Sequence, residues 1–349
     1  MAADFHEVEI AGIIQETRDA RSFVLGVPAA LRDVFRYRAG QFLTFEIPWN
    51  NLRIHRSYSL ASAPETDARP KVTVKRVDGG RASNWFNDTL HVGARIRVRP
   101  PEGRFLLKTG QTAAPVTLLG GGSGITPLIA LAKSSLMTTR REVLLVYANR
   151  DSDSIIFREE LELLQKSFPG RFRVHHHLDT ARGFLSVAGI TDLISGQSGS
   201  DHYICGPTPF MDTVEAALEH LGVSHNDRFI ERFTSPIDPD RRTAAAAPIA
   251  PTGGLPQAFQ VTVDGATRTV PYVKGATLLK CAQDAGVPAP SSCEDGYCGC
   301  CMAFLKSGKV QMATHEALTD AEVAKGWILP CQSRPVSAEP LAIDFDAKY

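Results

Sequence analysis

No run of about 18 consecutive apolar residues occurs anywhere in the chain, so the sequence holds no candidate membrane-spanning helix. The N-terminus, MAADFHEVEIAG, lacks the basic start and the continuous apolar core of an export signal. Charge of one sign is missing as well: 38 Lys and Arg balance 38 Asp and Glu, which removes any global bias toward nucleic acid or anionic membranes. No nucleic-acid module and no internal repeat at solenoid periods is visible. These absences point to a cytoplasmic protein that engages neither nucleic acid nor membrane. Hydrophobic content of 43% and charged content of 22% are those of ordinary globular domains. At 349 residues the chain exceeds one core, and three domains are expected.

What the sequence does have is an uneven use of cysteine. Four of the seven cysteines fall in CEDGYCGCC, residues 293–301. In a reducing cytosol, clustered cysteines are more often ligands or catalysts than disulfides.

The rhythm of the chain changes twice. Residues 1–112 read as short alternating segments, among them HEVEIAGIIQ, SFVLGV, FLTFEI, KVTVKRV and ARIRVRP, separated by Gly, Pro and Asp; this predicts an antiparallel β-barrel or sandwich. Residues 113–234 alternate strand and helix. PVTLLG, REVLLVYANR, RFRVHHHLD and DHYICG read as strands, with helices in ITPLIALAKSSL, SIIFREELELLQKSF and PFMDTVEAALEHLG, the pattern of an α/β doubly wound parallel sheet. Residues 235–256, rich in Pro, Ala and Gly and without apolar period, read as a linker. Residues 257–349 open with a hairpin about Asp264-Gly265 and a short helix in ATLLKCAQDAGV, then reach the cysteine loop.

Cys293, Cys298 and Cys301 are spaced C-x4-C-x2-C, and Cys331 follows in LPCQSRP, the plant-type [2Fe-2S] ligand arrangement. Two irons bridged by sulfide need four thiolates. Gly296 and Gly299 let the loop turn its amides toward them, and Ser291 and Ser292 offer further donors. A structural zinc site is the alternative, although such sites usually pair two C-x2-C knuckles, and Cys331 stands alone. Cys300 has no role in the spacing. Cys281, at helical spacing in LLKCAQDAG, reads as a small buried residue. The run His175–His177 tempts a metal reading, but successive strand residues face opposite ways, so these are strand residues.

Three further segments carry chemistry. HRSYSLAS contains Arg56, Ser57, Tyr58, Ser59 and Ser62: a guanidinium for phosphate, an aromatic ring for an apolar ring system and hydroxyls for a heterocycle edge. In VTVKRVDGGRASNWF, Gly79 and Gly80 lead into Ser83 and Asn84 at a helix start, where backbone amides can hold a pyrophosphate. LLGGGSGITP, with Gly120, Gly121, Gly122, Ser123, Gly124, Thr126 and Pro127, ends a strand and opens a helix. At the first strand-to-helix turn of a parallel sheet, its amides can meet a dinucleotide phosphate.

Together with ICGPTPFMD and FIERF, these segments resemble the ferredoxin-NADP reductase superfamily. PSSCEDGYCGCC followed by LPCQSRP resembles the plant-type ferredoxin domain fused to the C-terminus of its oxygenase reductases. The likeness covers nearly the whole chain outside the linker. It implies a β-barrel domain binding FAD rather than FMN, an α/β nicotinamide domain and a β-grasp ferredoxin domain. It assigns FAD contacts to Arg56, Ser57, Tyr58, Ser59, Val74, Lys75, Ala82, Ser83 and Asn84. Nicotinamide contacts fall to Gly121, Gly122, Ser123, Gly124, Thr126, Arg150, Cys205, Gly206 and Pro207, and Phe233 packs near the flavin. Ser59, Cys205 and Glu231 flank the reacting edges, and Cys293, Cys298, Cys301 and Cys331 hold the cluster.

No acidic residue stands immediately at the strand end before Arg150, so NADH over NADPH follows from likeness alone. The implied partner is a terminal oxygenase, and the implied state a monomer. Within the family the wording is closest to the branch serving 3-ketosteroid 9α-hydroxylases, Rieske-type oxygenases, and phenylacetyl-CoA epoxidase reductases are also similar. Stand-alone diaphorases share the first two domains, but a two-electron acceptor makes a cluster superfluous. The domain order has a physical reason: nicotinamide gives electrons in pairs, the cluster takes one, and a flavin can mediate.

Overall fold

The computed structural model describes residues 5–108, 113–197, 199–233, 238, 240, 254–291 and 293–347. These form two compact units, one within residues 5–233 and the other within residues 238–347. Most of the expected linker, the 112/113 boundary on its N-terminal side, and Ser292 lie outside the described residues.

In the first unit, β1 (His6–Thr17), β2 (Ala20–Gly26), β3 (Phe42–Trp49), β4 (Leu52–Ser59), β5 (Lys71–Lys75) and β6 (Arg95–Val98) form one sheet in the order β4-β3-β6-β1-β2-β5. Every pairing is antiparallel. A bridge between Leu60, just past β4, and Val72 of β5 joins the two edges, so the sheet closes into the expected barrel and leaves no open edge there. α1 (Arg81–Thr89) packs Phe86 against Phe23 and Phe45, with ring centroids 5.4 and 5.2 Å apart and near-perpendicular planes.

The parallel sheet contains β7 (Val116–Gly121), β8 (Val143–Asn149), β9 (Phe172–Leu178), β10 (Asp201–Gly206) and β11 (Arg228–Arg232) in the order β11-β10-β7-β8-β9. Around it run α2 (Ile125–Thr138), α3 (Arg158–Ser167), the single turn α4 (Asp179–Arg182), α5 (Val187–Ile194) and α6 (Thr208–His220). β7 and β8 are buried nearly throughout, as strands covered on both faces must be. Strand order reverses between β7 and β10, which opens the crevice where such sheets bind ligands.

Two readings of this region are corrected. SIIF is not part of α3: Ile155, Ile156 and Phe157 are buried anchors in the preceding loop, and Phe157 adopts a left-handed φ of 61° that a helix cannot include. α5 has no counterpart in the sequence reading; Ser186 caps it by accepting from the Gly189 amide at 3.1 Å.

Barrel and parallel sheet share one core, in which Ala20, Ala39, Ala61, Ala63 and Phe105 pack with α2 and β7. A buried charge network spans the same junction. The Lys133 ammonium, 4% exposed, bonds Asp67 at 2.7 Å and Glu160 at 2.5 Å, and Lys71 reaches Glu160 at 3.0 Å. Burial works to raise the Asp67 carboxyl, but hydrogen bonds from Lys133, the Ala63 amide and Thr66, with the Lys133 charge, together hold it below its ordinary range.

The second unit has a mixed sheet of β12 (Ala258–Val263), β13 (Ala266–Pro271), β14 (Ala303–Ser307), β16 (Trp327–Ile328) and β18 (Ala342–Asp344), in the order β13-β12-β18-β14-β16. β15 (Val310–Met312) pairs with β17 (Ser333–Pro335), and the helices are α7 (Leu278–Asp284) and α8 (Asp320–Lys325). The β12–β13 hairpin turns at Asp264 and Gly265, both at positive φ, as expected of that dipeptide. This is the β-grasp arrangement, with its own core from Phe259 to Phe345 that includes Cys281. Among the described residues, no helix is long and apolar enough to cross a membrane.

Candidate functional site

β4 carries Arg56, Ser57, Tyr58 and Ser59 in sequence. Register with β3 pairs Arg56 with Phe45 and Tyr58 with Leu43, so both side chains take the side of the sheet on which those residues lie. The Tyr58 ring rests edge-on against Phe86, centroids 5.0 Å apart, and burial pushes its phenol well above the ordinary range. Ser57 shares a hydrogen bond with Thr44 at 2.9 Å, and Ser59 is buried. Ser62 is structural: its hydroxyl accepts from the Tyr37 hydroxyl at 2.8 Å and the Lys71 amide at 2.9 Å.

The turn into α1 is built by its own side chains. Ser83 Oγ accepts from the Val77 amide at 3.0 Å, and Asn84 Nδ2 donates to the Val77 carbonyl at 3.2 Å. A Cβ on Gly80 would lie 2.7 Å from Ser83 Oγ, so glycine is required there. No side chain caps α1 and no acid stands in its first turn, so its positive dipole end suits an anion. Of the other residues in this segment, Val74 and Ala82 are buried in the barrel core and Lys75 lies 3.8 Å from Asp19.

In the crevice between β7 and β10, the two glycine turns meet. A Cβ on Gly124 would fall 2.1 Å from the Cys205 carbonyl oxygen, and one on Gly206 would fall 3.0 Å from the Gly121 amide nitrogen. Glycine thus lets the N-terminus of α2 abut the end of β10. Thr126 Oγ1 donates to the Ser123 carbonyl at 3.1 Å, and the Tyr147 hydroxyl to that of Gly122 at 3.0 Å, fixing the turn. Pro207 and Phe210 cover Gly121.

Cys205 and Glu231 are direct partners across β10 and β11, so their side chains share a face. Burial, then the nearby Glu231, raises the Cys205 thiol; burial pushes the Glu231 carboxyl from 4.5 up to about 8. Phe233 follows the strand, 46% exposed. A carboxyl whose pKa rises on folding adds least stability when ionised, so its contribution is lost as pH climbs from about 4.5 through 8. The melting temperature of wild type relative to Glu231→Gln should therefore decline between pH 5 and pH 9 in parallel scans; a constant difference would place the carboxyl in water.

No acid stands at the strand end before Arg150. β8 ends at Asn149, and Asp151 lies two residues on, its carboxylate bonded to Arg150 Nε at 2.9 Å and to the Ser154 amide at 2.9 Å. The Ser154 hydroxyl, which donates to the same carboxylate at 2.6 Å, and then the Arg150 guanidinium hold it down to about 2. His175, His176 and His177 lie on β9 as expected, and His177 Nε2 is 2.7 Å from the Gly183 carbonyl.

In the second unit, the four cysteines that the spacing singles out lie near one another, and Cys298 also interacts with Cys300. Cys293 and Cys298 interact, with the Cys293 amide 3.5 Å from the Cys298 sulfur and the Tyr297 amide 3.4 Å from that of Cys293; Cys301 interacts with Cys331. The neighbouring thiol in each pair, and burial, push Cys293 and Cys301 far above the ordinary range. As thiolates, these sulfurs would need cationic compensation, which a metal centre supplies. Two pairs suit two irons with two thiolates each. Gly296, at φ 82°, is doubly required, since a Cβ there would lie 2.7 Å from both Gln332 Cγ and Thr314 Cγ2. Ser291 is engaged by Gln283 at 3.0 Å.

Comparison with known families matches all three segments. Residues 7–106 match the oxidoreductase FAD-binding domain, residues 118–216 the oxidoreductase NAD-binding domain, and residues 261–336 the 2Fe-2S iron-sulfur cluster binding domain. The 3-ketosteroid-9-alpha-monooxygenase ferredoxin reductase component of Mycolicibacterium smegmatis is 40% identical over 336 residues, covering 95% of this chain and 94% of that one. The chain belongs to the family of oxygenase reductases.

The 1,2-phenylacetyl-CoA epoxidase of Escherichia coli includes another relative of this reductase, a component 30% identical over 99% of the chain and 98% of its own length. A phthalate dioxygenase reductase, described as a modular structure for electron transfer from pyridine nucleotides to [2Fe-2S], superposes with a TM-score of 0.59 at 29% identity, covering 98% of each chain. The reductase is thus an oxidoreductase with FAD-, NAD- and [2Fe-2S]-binding domains in that chain order about a barrel, a parallel sheet and a β-grasp fold.

Proposed function

We propose that this reductase oxidises NADH and passes single electrons to a Rieske-type oxygenase that 9α-hydroxylates a 3-ketosteroid. The observation that carries this reading is 40% identity over almost the full length of a 3-ketosteroid-9-alpha-monooxygenase reductase component. The division into residues 1–112, 113–234, a linker 235–256 and 257–349 belongs to the same reading.

When bound, the flavin supplies an acceptor that fills with two electrons and empties one at a time, and the cluster a one-electron carrier. Arg56 and the uncapped amides of α1 would neutralise the flavin pyrophosphate, aided by Ser83. Tyr58, held by Phe86, would cover the ring system, and Ser59 would hydrogen-bond its edge. The glycine turn of Gly121, Gly122, Ser123 and Gly124, with Thr126, would take the nicotinamide dinucleotide phosphates. Gly206 and Pro207 shape the pocket in which Cys205 orients the nicotinamide face. Glu231 stays protonated below about pH 8, so it can donate a hydrogen bond there without placing a charge beside the reacting carbons. Asp151 engages the Arg150 guanidinium, which supports NADH by reducing the positive charge open to a 2′-phosphate. Cys293 with Cys298, and Cys301 with Cys331, would each hold one iron.

Reconstitution tests the reading. Purified reductase is mixed with a 3-ketosteroid 9α-hydroxylase oxygenase or with a phenylacetyl-CoA epoxidase oxygenase, each with NADH or NADPH. Hydroxysteroid should form with the first oxygenase and run faster on NADH. Turnover with the epoxidase alone, or faster turnover on NADPH, would overturn the assignment.

A further inference from the structure

Gln332 follows the fourth cysteine ligand, and spacing alone gives it no role. Its side-chain amide crosses from the segment carrying Cys331 to the loop carrying the other three ligands, donating to the Glu294 carbonyl at 2.8 Å. The same nitrogen lies 3.1 Å from the Cys331 carbonyl and 3.8 Å from the Cys331 sulfur. Its backbone is fixed on both sides, the Gln332 amide donating to Leu329 at 2.8 Å and its carbonyl accepting from Ala313 at 3.0 Å. Its Cγ fills the space where Gly296 can carry no side chain. Glu294, whose carbonyl it holds, has a left-handed φ of 56°, a conformation unfavourable for this residue without such a tether.

A cavity of about 390 Å³ opens against Cys331, and Lys280, Gln283, Gln332 and Arg334 line it as possible donors. Three of these are turned to other acceptors: Lys280 to Asp284, Arg334 to the Gly275 carbonyl at 3.0 Å, and Gln283 to Ser291 at 3.0 Å. Gln332 is the member of this set whose side chain reaches a cluster-ligand sulfur.

We propose that Gln332 is a positioning residue for the cluster, clasping its two ligand segments and, through its N–H toward the Cys331 sulfur, raising the cluster's reduction potential. The inference rests on the [2Fe-2S] reading. Reduction adds negative charge that spreads onto the thiolates, and a donor aimed at one of them favours the reduced form. Removing the donor makes the cluster harder to reduce and alters its electron equilibrium with the flavin.

The test is a potentiometric titration of the intact protein followed by electron paramagnetic resonance, in wild type, Gln332→Met and Gln332→Glu. Methionine keeps length without a donor, and glutamate replaces the donor with negative charge. Both should shift the midpoint downward, by roughly five- to tenfold in the one-electron equilibrium and so up to about 59 mV for methionine, and further for glutamate. Because either variant could lose its cluster, the reduced wild type labelled with ¹⁵N in the glutamine side-chain amide is also measured by pulsed resonance, where a ¹⁵N coupling to the cluster is expected. A fully loaded Gln332→Met protein with the wild-type midpoint overturns the proposal. So does absence of the coupling in wild type. A reduced wild type with no cluster signal would instead refute the iron-sulfur reading.

Discussion

Replacing Cys298 with alanine is expected to abolish the cluster's visible and paramagnetic signals and all electron delivery to an oxygenase, while NADH oxidation by ferricyanide persists. Cys298 interacts with Cys293, and in the proposed ligand set losing it would leave one iron with a single protein ligand. The residues assigned to flavin and nicotinamide lie in the unit of residues 5–233, and among the described residues its hydrophobic clusters contain none from the β-grasp core. Damage to one should therefore spare the other. Iron analysis, spectra and the two assays on one preparation check this. Parallel loss of ferricyanide reduction would mean that the two units fold or function as one.

Gly124→Ala should be as severe at the opposite end of the electron path. The added Cβ would lie 2.1 Å from the oxygen and 2.4 Å from the carbon of the Cys205 carbonyl, backbone atoms that no rotamer change can move aside. Either α2 or the end of β10 must retreat by about 1 Å, a displacement of the size that costs roughly 100-fold in rate when it misplaces a substrate. The expected result is a fall of that order in kcat/KM for NADH, with the cluster and flavin content intact. Gly196→Ala, where a Cβ meets nothing within 4 Å, should be silent. Near-normal turnover in Gly124→Ala would show that the two turns do not need to touch.

Sequence reading reached different depths in different parts of this molecule. The [2Fe-2S] domain was legible because three of its cysteines sit within one loop at fixed spacing, and the fold then sets Cys331 beside Cys301. The barrel and the parallel sheet were legible as alternation and as buried runs, since a strand's burial is written in its own residues. SIIF misled because its apolar residues fit helical spacing, whereas Phe157 takes a left-handed conformation that only the surrounding core dictates. α5 was missed because Gly189 weakens its local propensity and its burial against α6 is tertiary.

Neither the adjacency of Cys205 and Glu231 nor the Lys133 network could be read from spacing. Both depend on which strand or helix lies beside which; burial then raises Cys205 and Glu231, while hydrogen bonds and the Lys133 charge lower Asp67. Gln332 illustrates the same limit: its identity is visible beside Cys331, but its reach to Glu294 exists only once the loop has folded.

The central claim, that electrons enter in pairs at the flavin and leave singly through the cluster, is tested most directly by anaerobic rapid mixing with NADH, following the flavin and cluster absorbances together. The flavin band should bleach first and the cluster signal should fall afterwards. Cluster reduction that precedes flavin bleaching, or that proceeds at full rate in protein stripped of flavin, would contradict it.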